Sequence, residues 1–168
     1  IYPGQVNPVK KLVVYKGSAA IPTIPVLGQD YSDEVSDGLS TTVAVLDSLS
    51  TLAAFNCIFI MTDVQAKQLT WTIPNVNGTA AVMQGKYWKT DSTWAALTIT
   101  DNTIISAATL AQSGSMTWTA PTDEMPRYMF GAVGYWYQFS LASGALGATV
   151  RTSEVTYEAD WKNIVNTW

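Results

Sequence analysis

From Asn56 onward, apolar and polar residues alternate in short runs separated by Gly, Asn and Asp, a β rather than a helical pattern. The run "CIFIMT" has strand length. "KQLTWTIPN" sets Leu69, Trp71 and Ile73 against Gln68, Thr70 and Thr72, the period-two signature of a half-buried strand. "VNGT" then predicts a tight hairpin, since Asn-Gly suits its left-handed positions. "AAVMQGKYW" runs back, "KTDS" turns, "TWAALTIT" follows and "DNT" turns again. In "SMTWTA", Met116 and Trp118 share one face. After the loop "PTDEMPRYMFGAVG" comes "GYWYQFSLA", where Tyr135, Tyr137, Phe139 and Leu141 form one continuous apolar face. That face belongs in the core. Trp136, Gln138, Ser140 and Ala142 fall on the other, which leaves Trp136 as the ring expected to face out. "GATVRTSEVTYEA" is the last strand. Short strands at this spacing predict an all-β, antiparallel β-sandwich of jelly-roll-like form with little helix.

The first part of the chain differs. "VKKLVVYKG" suits a strand, but "AAIPTIPVLG" carries two Ile-Pro steps that favour extended backbone and remove amide donors. Residues 1–29 therefore read as an extended N-terminal arm or linker and 30–168 as the sandwich domain. Such an arm can add to the sheet edge of a neighbour. "TTVAVLDSLSTLAAF" reads as a helix candidate, although its Thr, Val and Ser content supports one only weakly. The chain starts at Ile1 rather than Met, as a processed product or a piece of a longer protein would.

Composition narrows the chemistry. Apolar residues make up 48% of the 168-residue chain and charged residues 13%, with seven Trp and eight Tyr. A net charge of −4 with scattered Lys and Arg gives no footprint for nucleic acid. No apolar run approaches the ~20 residues that span a bilayer as a helix. Histidine is absent, which excludes Ser-His-Asp and Cys-His nucleophile systems and histidine-ligated zinc. The single cysteine, Cys57, rules out an internal disulfide and reads as a small core residue, with an intermolecular bridge as the alternative. No cofactor and no enzymatic activity are expected.

Several segments together resemble β-sandwich domains of tailed-phage virion proteins of the tail-fibre, baseplate or capsid-associated type. They are "KYW" (Tyr87, Trp88), "STWAALTITDNT" (Trp94, Asp101), "ATLAQSGSMTW" (Leu110, Ser113, Gly114, Trp118) and "GYWYQFSLASGAL" (Tyr135, Trp136, Ser140, Leu146). The resemblance covers roughly residues 56–157, and Gln138 stands where that pattern carries a basic residue. It concerns fold positions rather than catalytic ones. It implies a structural module of a virion, an extracellular particle, that packs against other virion subunits, here as a homo-oligomer.

Candidate contacts follow from these readings. For assembly they are Ile21, Pro22, Ile24 and Pro25 in the arm, and Trp161 and Trp168 in "WKNIVNTW", whose rings would seek a partner surface. For the alternative, a glycan- or receptor-binding module, they are Trp94, Tyr128 and Trp136, the rings nearest loop edges or outward faces. Sandwich folds elsewhere use exposed rings in this way, an analogy of fold alone. The acidic run Asp30, Asp33, Glu34 and Asp37 could offer calcium its oxygen ligands, although it lacks EF-hand spacing and suits a solvated loop. A carboxylate pair for glycoside hydrolysis would need Asp101 and Asp123 to meet in space. Asn77-Gly78-Thr79 matches the glycosylation acceptor pattern but also the hairpin turn.

Overall fold

A computed structural model describes residues 6–22, 25 and 27–160. The strands are β1 (Val6–Pro8), β2 (Lys11–Lys16), β3 (Gln29–Asp30), β4 (Ala44–Val45), β5 (Asn56–Thr62), β6 (Ala66–Thr72) and β7 (Ala81–Trp88). After them come β8 (Trp94–Leu97), β9 (Thr100–Asp101), β10 (Gly114–Thr117), β11 (Arg127–Met129), β12 (Ala132–Gly144), β13 (Arg151–Thr152) and β14 (Glu154–Ala159). The "TTVAVLDSLSTLAAF" segment forms β4 and one 3-10 turn, Leu52–Ala54, instead of an α-helix. No helix among the described residues is long and apolar enough to cross a membrane.

The strands make an antiparallel sandwich, as the alternation predicts. One sheet has the order β1-β14-β6-β10-β9. The other runs β3-β2-β5-β12-β7-β8, with β11 paired to β12 as its seventh strand. A small β13–β4 pair stands apart. Between the sheets lies the main core, to which Leu12, Ile58, Ile60, Tyr137, Phe139 and Leu141 contribute from one side and Leu69, Trp71, Met116, Val155 and Tyr157 from the other. Rings tie the layers together: Trp71 meets Phe139 edge-on at 6.2 Å, and Trp118 lies 5.3 Å from Tyr137. The Tyr137 hydroxyl accepts a hydrogen bond from the Ala66 amide at 2.9 Å. A buried Tyr needs such a partner for its polar end.

The seven-stranded sheet is apolar on its second face as well. Val13, Tyr15, Cys57, Phe59, Met61, Met129 and Trp136 form a separate buried cluster there, with Ile21, Leu52, Phe55, Trp94 and Phe130 packed over it. Strand β5 is accordingly buried from Cys57 to Thr62 without alternation. A sheet covered on both faces reads as a continuous apolar run, and "CIFIMT" is one.

Two expectations about organisation are corrected here. The first is the arm over 1–29. Strand β1 pairs with β14 in one sheet, and β2 pairs along its length with β5 in the other, from Lys11↔Met61 to Lys16↔Asn56. Residues 6–16 thus belong to the sandwich, because Leu12 and Val14 fill the inner core while Val13 and Tyr15 fill the outer cluster. The second is the "VNGT" hairpin. Strands β6 and β7 lie in different sheets, so this segment crosses between layers. Asn77 is only 1% exposed. Its amide donates to the Thr79 and Thr109 carbonyls at 2.8 and 2.9 Å, and its oxygen accepts from the Thr79 and Gly147 amides at 3.0 Å each. A side chain so engaged is closed to glycosylation in the folded protein.

Candidate functional site

Beside the outer cluster, two indoles meet polar groups in a cleft of about 440 Å³ on the outer face of β7, β8 and β12. That volume lies within the ~300–1,000 Å³ typical of small-ligand sites. Strand periodicity supplies one wall. On β7 the outward side chains include Lys86 and Trp88, and the register Trp88↔Trp94 sets the two indoles side by side. Their rings meet edge-to-face, 5.3 Å apart at 74°.

The turn between them is held by its own polar residues. Asp91 accepts from the Thr93 amide at 3.1 Å and from its hydroxyl at 2.5 Å, while the Lys89 ammonium lies 3.0 Å away. The Thr93 hydroxyl and the Lys89 charge keep the Asp91 carboxyl below the ordinary range. Behind the wall, the Arg127 guanidinium stacks over Trp88 at 3.7 Å from the ring centre, a cation–π contact. Partial burial lowers the pKa of that guanidinium.

The opposite wall comes from the turn before β5 and from the segment after β2. Phe55 takes a left-handed backbone, φ 60°, where it ends the Leu52–Ala54 turn. Such a conformation is uncommon for a bulky residue and clusters at functional sites. The Gly17 amide bonds the Phe55 carbonyl at 3.0 Å, which brings Ile21 and Pro22 to the rim. Gln138 lines the floor, directly opposite Lys86 in register and only 4% exposed. Its amide nitrogen lies 4.0 Å from the Cys57 sulfur. Burial pushes that thiol up to about 12, which makes Cys57 an inert part of the floor's support.

The candidate residues divide accordingly. Trp94 lines the cleft, as do Ile21 and Pro22. Tyr128 is 61% exposed and lies elsewhere, beside a cleft of about 360 Å³ that also takes in Pro25 and Phe130. Pro25 is buried. Trp136, expected to face out, is 0% exposed. It does point away from the main core, but into the second cluster, where it packs 5.7 Å from Phe130 and donates from Nε1 to the Arg127 carbonyl at 2.9 Å. Ile24, Trp161 and Trp168 lie outside the described residues. Sequence reasoning missed Phe55, Lys86, Trp88 and Gln138 as lining residues. The Trp88–Trp94 pair did carry a signal, because two Trp flanking a five-residue turn fall opposite each other on one face.

Other groups are committed locally. Asp30 binds Lys11 at 2.8 Å and the Ser32 amide at 3.0 Å, and Asp37 binds the Leu39 amide and the Thr42 hydroxyl at 2.7 Å each. Among the described residues, no group of three or more Cys, Asp or Glu could hold a metal ion. Asp101 is held by Thr103 and Thr109, Asp123 by Tyr87 and Lys89, so the two acids serve separate networks. A larger opening of about 730 Å³ lies where Thr98, Thr100, Thr117 and Thr119 gather around Tyr87 and Trp118. We favour the smaller cleft because two indoles, an ammonium and an amide converge there. No family model matches the chain, and no curated protein matches it.

Proposed function

We propose that this chain is a non-catalytic interaction module that binds a glycan in the cleft of Trp88, Trp94, Lys86 and Gln138. One observation carries this reading: rings and hydrogen-bonding side chains share a single concave surface. The C–H faces of a pyranose pack on indole rings, and its hydroxyls need fixed donors and acceptors. Gln138 offers both from the floor, with Ser92 and Thr93 at the rim. A glycan array probed with the intact chain and with Trp94→Ala tests the proposal. Binding that the variant loses supports it. An array without any signal, or one that Trp94→Ala leaves unchanged, refutes it.

A second reading, packing against other subunits of a phage virion, rests on the sequence resemblance and on one surface observation. Tyr128 and Val133 face each other across β11 and β12, both exposed, with Leu27 also exposed. Exposed apolar groups of this kind suit a protein contact. Light scattering of the chain and of a Tyr128→Ser, Val133→Ser double variant tests it. An oligomer that the variant dissociates supports packing, and a monomer at every concentration contradicts it. Removing residues 1–29 would be a poor probe, since it strips β1 and β2 from the two sheets.

A further inference from the structure

We propose that the cleft selects saccharides bearing a carboxylate, a uronic or sialic acid, and that the Lys86 ammonium is the group that reads the acid. The inference rests on the glycan reading above and goes beyond it in naming the ligand class. It begins with the partners of the cations. Lys10 pairs with Asp63 at 3.5 Å, Lys11 with Asp30 at 2.8 Å, Lys67 with Glu158 at 2.8 Å and Lys89 with Asp91 at 3.0 Å. Arg151 pairs with Asp47, and Lys16 donates to the Asp47 carbonyl. Arg127 is stacked on Trp88. Among the described residues, the Lys86 ammonium, unlike its backbone in β7, has neither a hydrogen bond nor an ion pair within the protein.

Its position makes that meaningful. Lys86 is half-buried on the outer face of β7 and lines the cleft together with Trp88, Trp94 and Gln138. An exposed Lys without a counter-charge is fully hydrated and signifies little. A half-buried one packs its aliphatic stem on the sheet and holds its ammonium beside the cleft, so a ligand carboxylate there gains a charge-assisted bond without displacing a protein carboxylate. Two carboxylates that meet the neighbouring Lys89 are already engaged: Asp91 by Thr93 and Lys89, and Asp123 by Tyr87 and Lys89. The cleft therefore presents positive charge beside the half-buried Trp94 indole, although the whole chain carries a net charge of −4. A pyranose with an attached carboxylate complements both features. A phosphate would use the charge but leave the indole bare.

The test is calorimetric titration of the intact chain with oligogalacturonate and sialyllactose, each beside a neutral counterpart, a galactan oligosaccharide and lactose. Affinity for at least one acidic ligand should exceed that for its neutral counterpart by about tenfold at low salt, and the advantage should shrink as salt is added. Lys86→Gln should reduce acidic binding to the neutral level, Lys86→Arg should keep most of it, and Trp94→Ala should lose both ligand classes. Circular dichroism of each variant separates lost binding from lost fold. Should Lys86→Gln fail to fold, the acidic-to-neutral ratio of the unmodified chain decides. Equal binding of acidic and neutral ligands overturns the inference and leaves the glycan reading standing, as does acidic binding that survives Lys86→Gln. Absence of binding to every saccharide overturns both.

Discussion

Replacing Trp136 by Ala separates a core ring from a ligand-contacting one more sharply than any other change in β12. The side chain is wholly buried, packs 5.7 Å from Phe130 and sits opposite Met61 in register. Truncating a buried Trp to Ala costs about 3–5 kcal/mol, from lost transfer energy and the cavity left behind. Loss of the Nε1–H bond to the Arg127 carbonyl adds about 1 kcal/mol. A total near 4–6 kcal/mol is a large share of the ~5–15 kcal/mol that holds a domain together. With a urea dependence of about 2 kcal/mol per M, the unfolding midpoint should fall by roughly 2–3 M. Urea titration followed by far-UV circular dichroism measures it without relying on Trp fluorescence. Tyr128→Ala on the exposed face of the neighbouring strand is the control, expected within about 0.5 kcal/mol of the parent. A midpoint shift under ~0.5 M for Trp136→Ala would mean that the outer cluster is not a second core, and the reasoning would fail.

Three further outcomes follow from the packing and the hydrogen bonds. Asn77→Ala should cost about 3 kcal/mol in the same assay, since it strands the Thr109 carbonyl and the Gly147 amide at the crossing between sheets; a cost under ~1 kcal/mol would contradict that network. Gly144→Ala should destabilise by about 2 kcal/mol, because φ is +79° and a Cβ there would collide with the Ala80 carbonyl; an unchanged midpoint would contradict that clash. Burial raises the Cys57 thiol from 9.0 to about 12, so the unfolded chain releases this proton first and stability is lost between pH 9 and pH 12. The loss from this group approaches about 1.4 kcal/mol per pH unit within that window, and Cys57→Ala should flatten the decline measured by urea titration.

What the sequence made legible was whatever depends on local alternation. The period-two pattern of β6 found Leu69 and Trp71, and the apolar face of β12 found Tyr137, Phe139 and Leu141. It missed what depends on distant segments. Trp136 and Gln138 are buried because Ile21, Phe55 and Phe130, far apart in the chain, cover the outer face of the sheet. Nothing in the periodicity of "YWYQFSLA" records that cover. The same cause hid the cleft, whose two walls come from β7 and β8 on one side and from residues 20–22 with Leu52 and Phe55 on the other. The sequence reads β2 as part of an arm because the prolines that follow it dominate the local signal. Its four consecutive buried residues, Leu12 to Tyr15, make sense only between two apolar layers. Asn-Gly at 77–78 has turn chemistry, but whether a turn closes a hairpin or crosses between sheets is decided by which strands pair, a long-range property.

The central claim is that ligand meets this protein at Trp94, beside Lys86 and Gln138. Fluorine NMR of the chain labelled with 5-fluorotryptophan, titrated with the strongest saccharide from the array, tests it most directly, with each signal assigned by Trp→Phe substitution. The Trp94 signal should shift in saturable fashion while Trp71 and Trp136, buried in the two apolar clusters, stay still. Shifts confined to Trp118, in the threonine-lined opening, or the absence of any shift at Trp94 would contradict it.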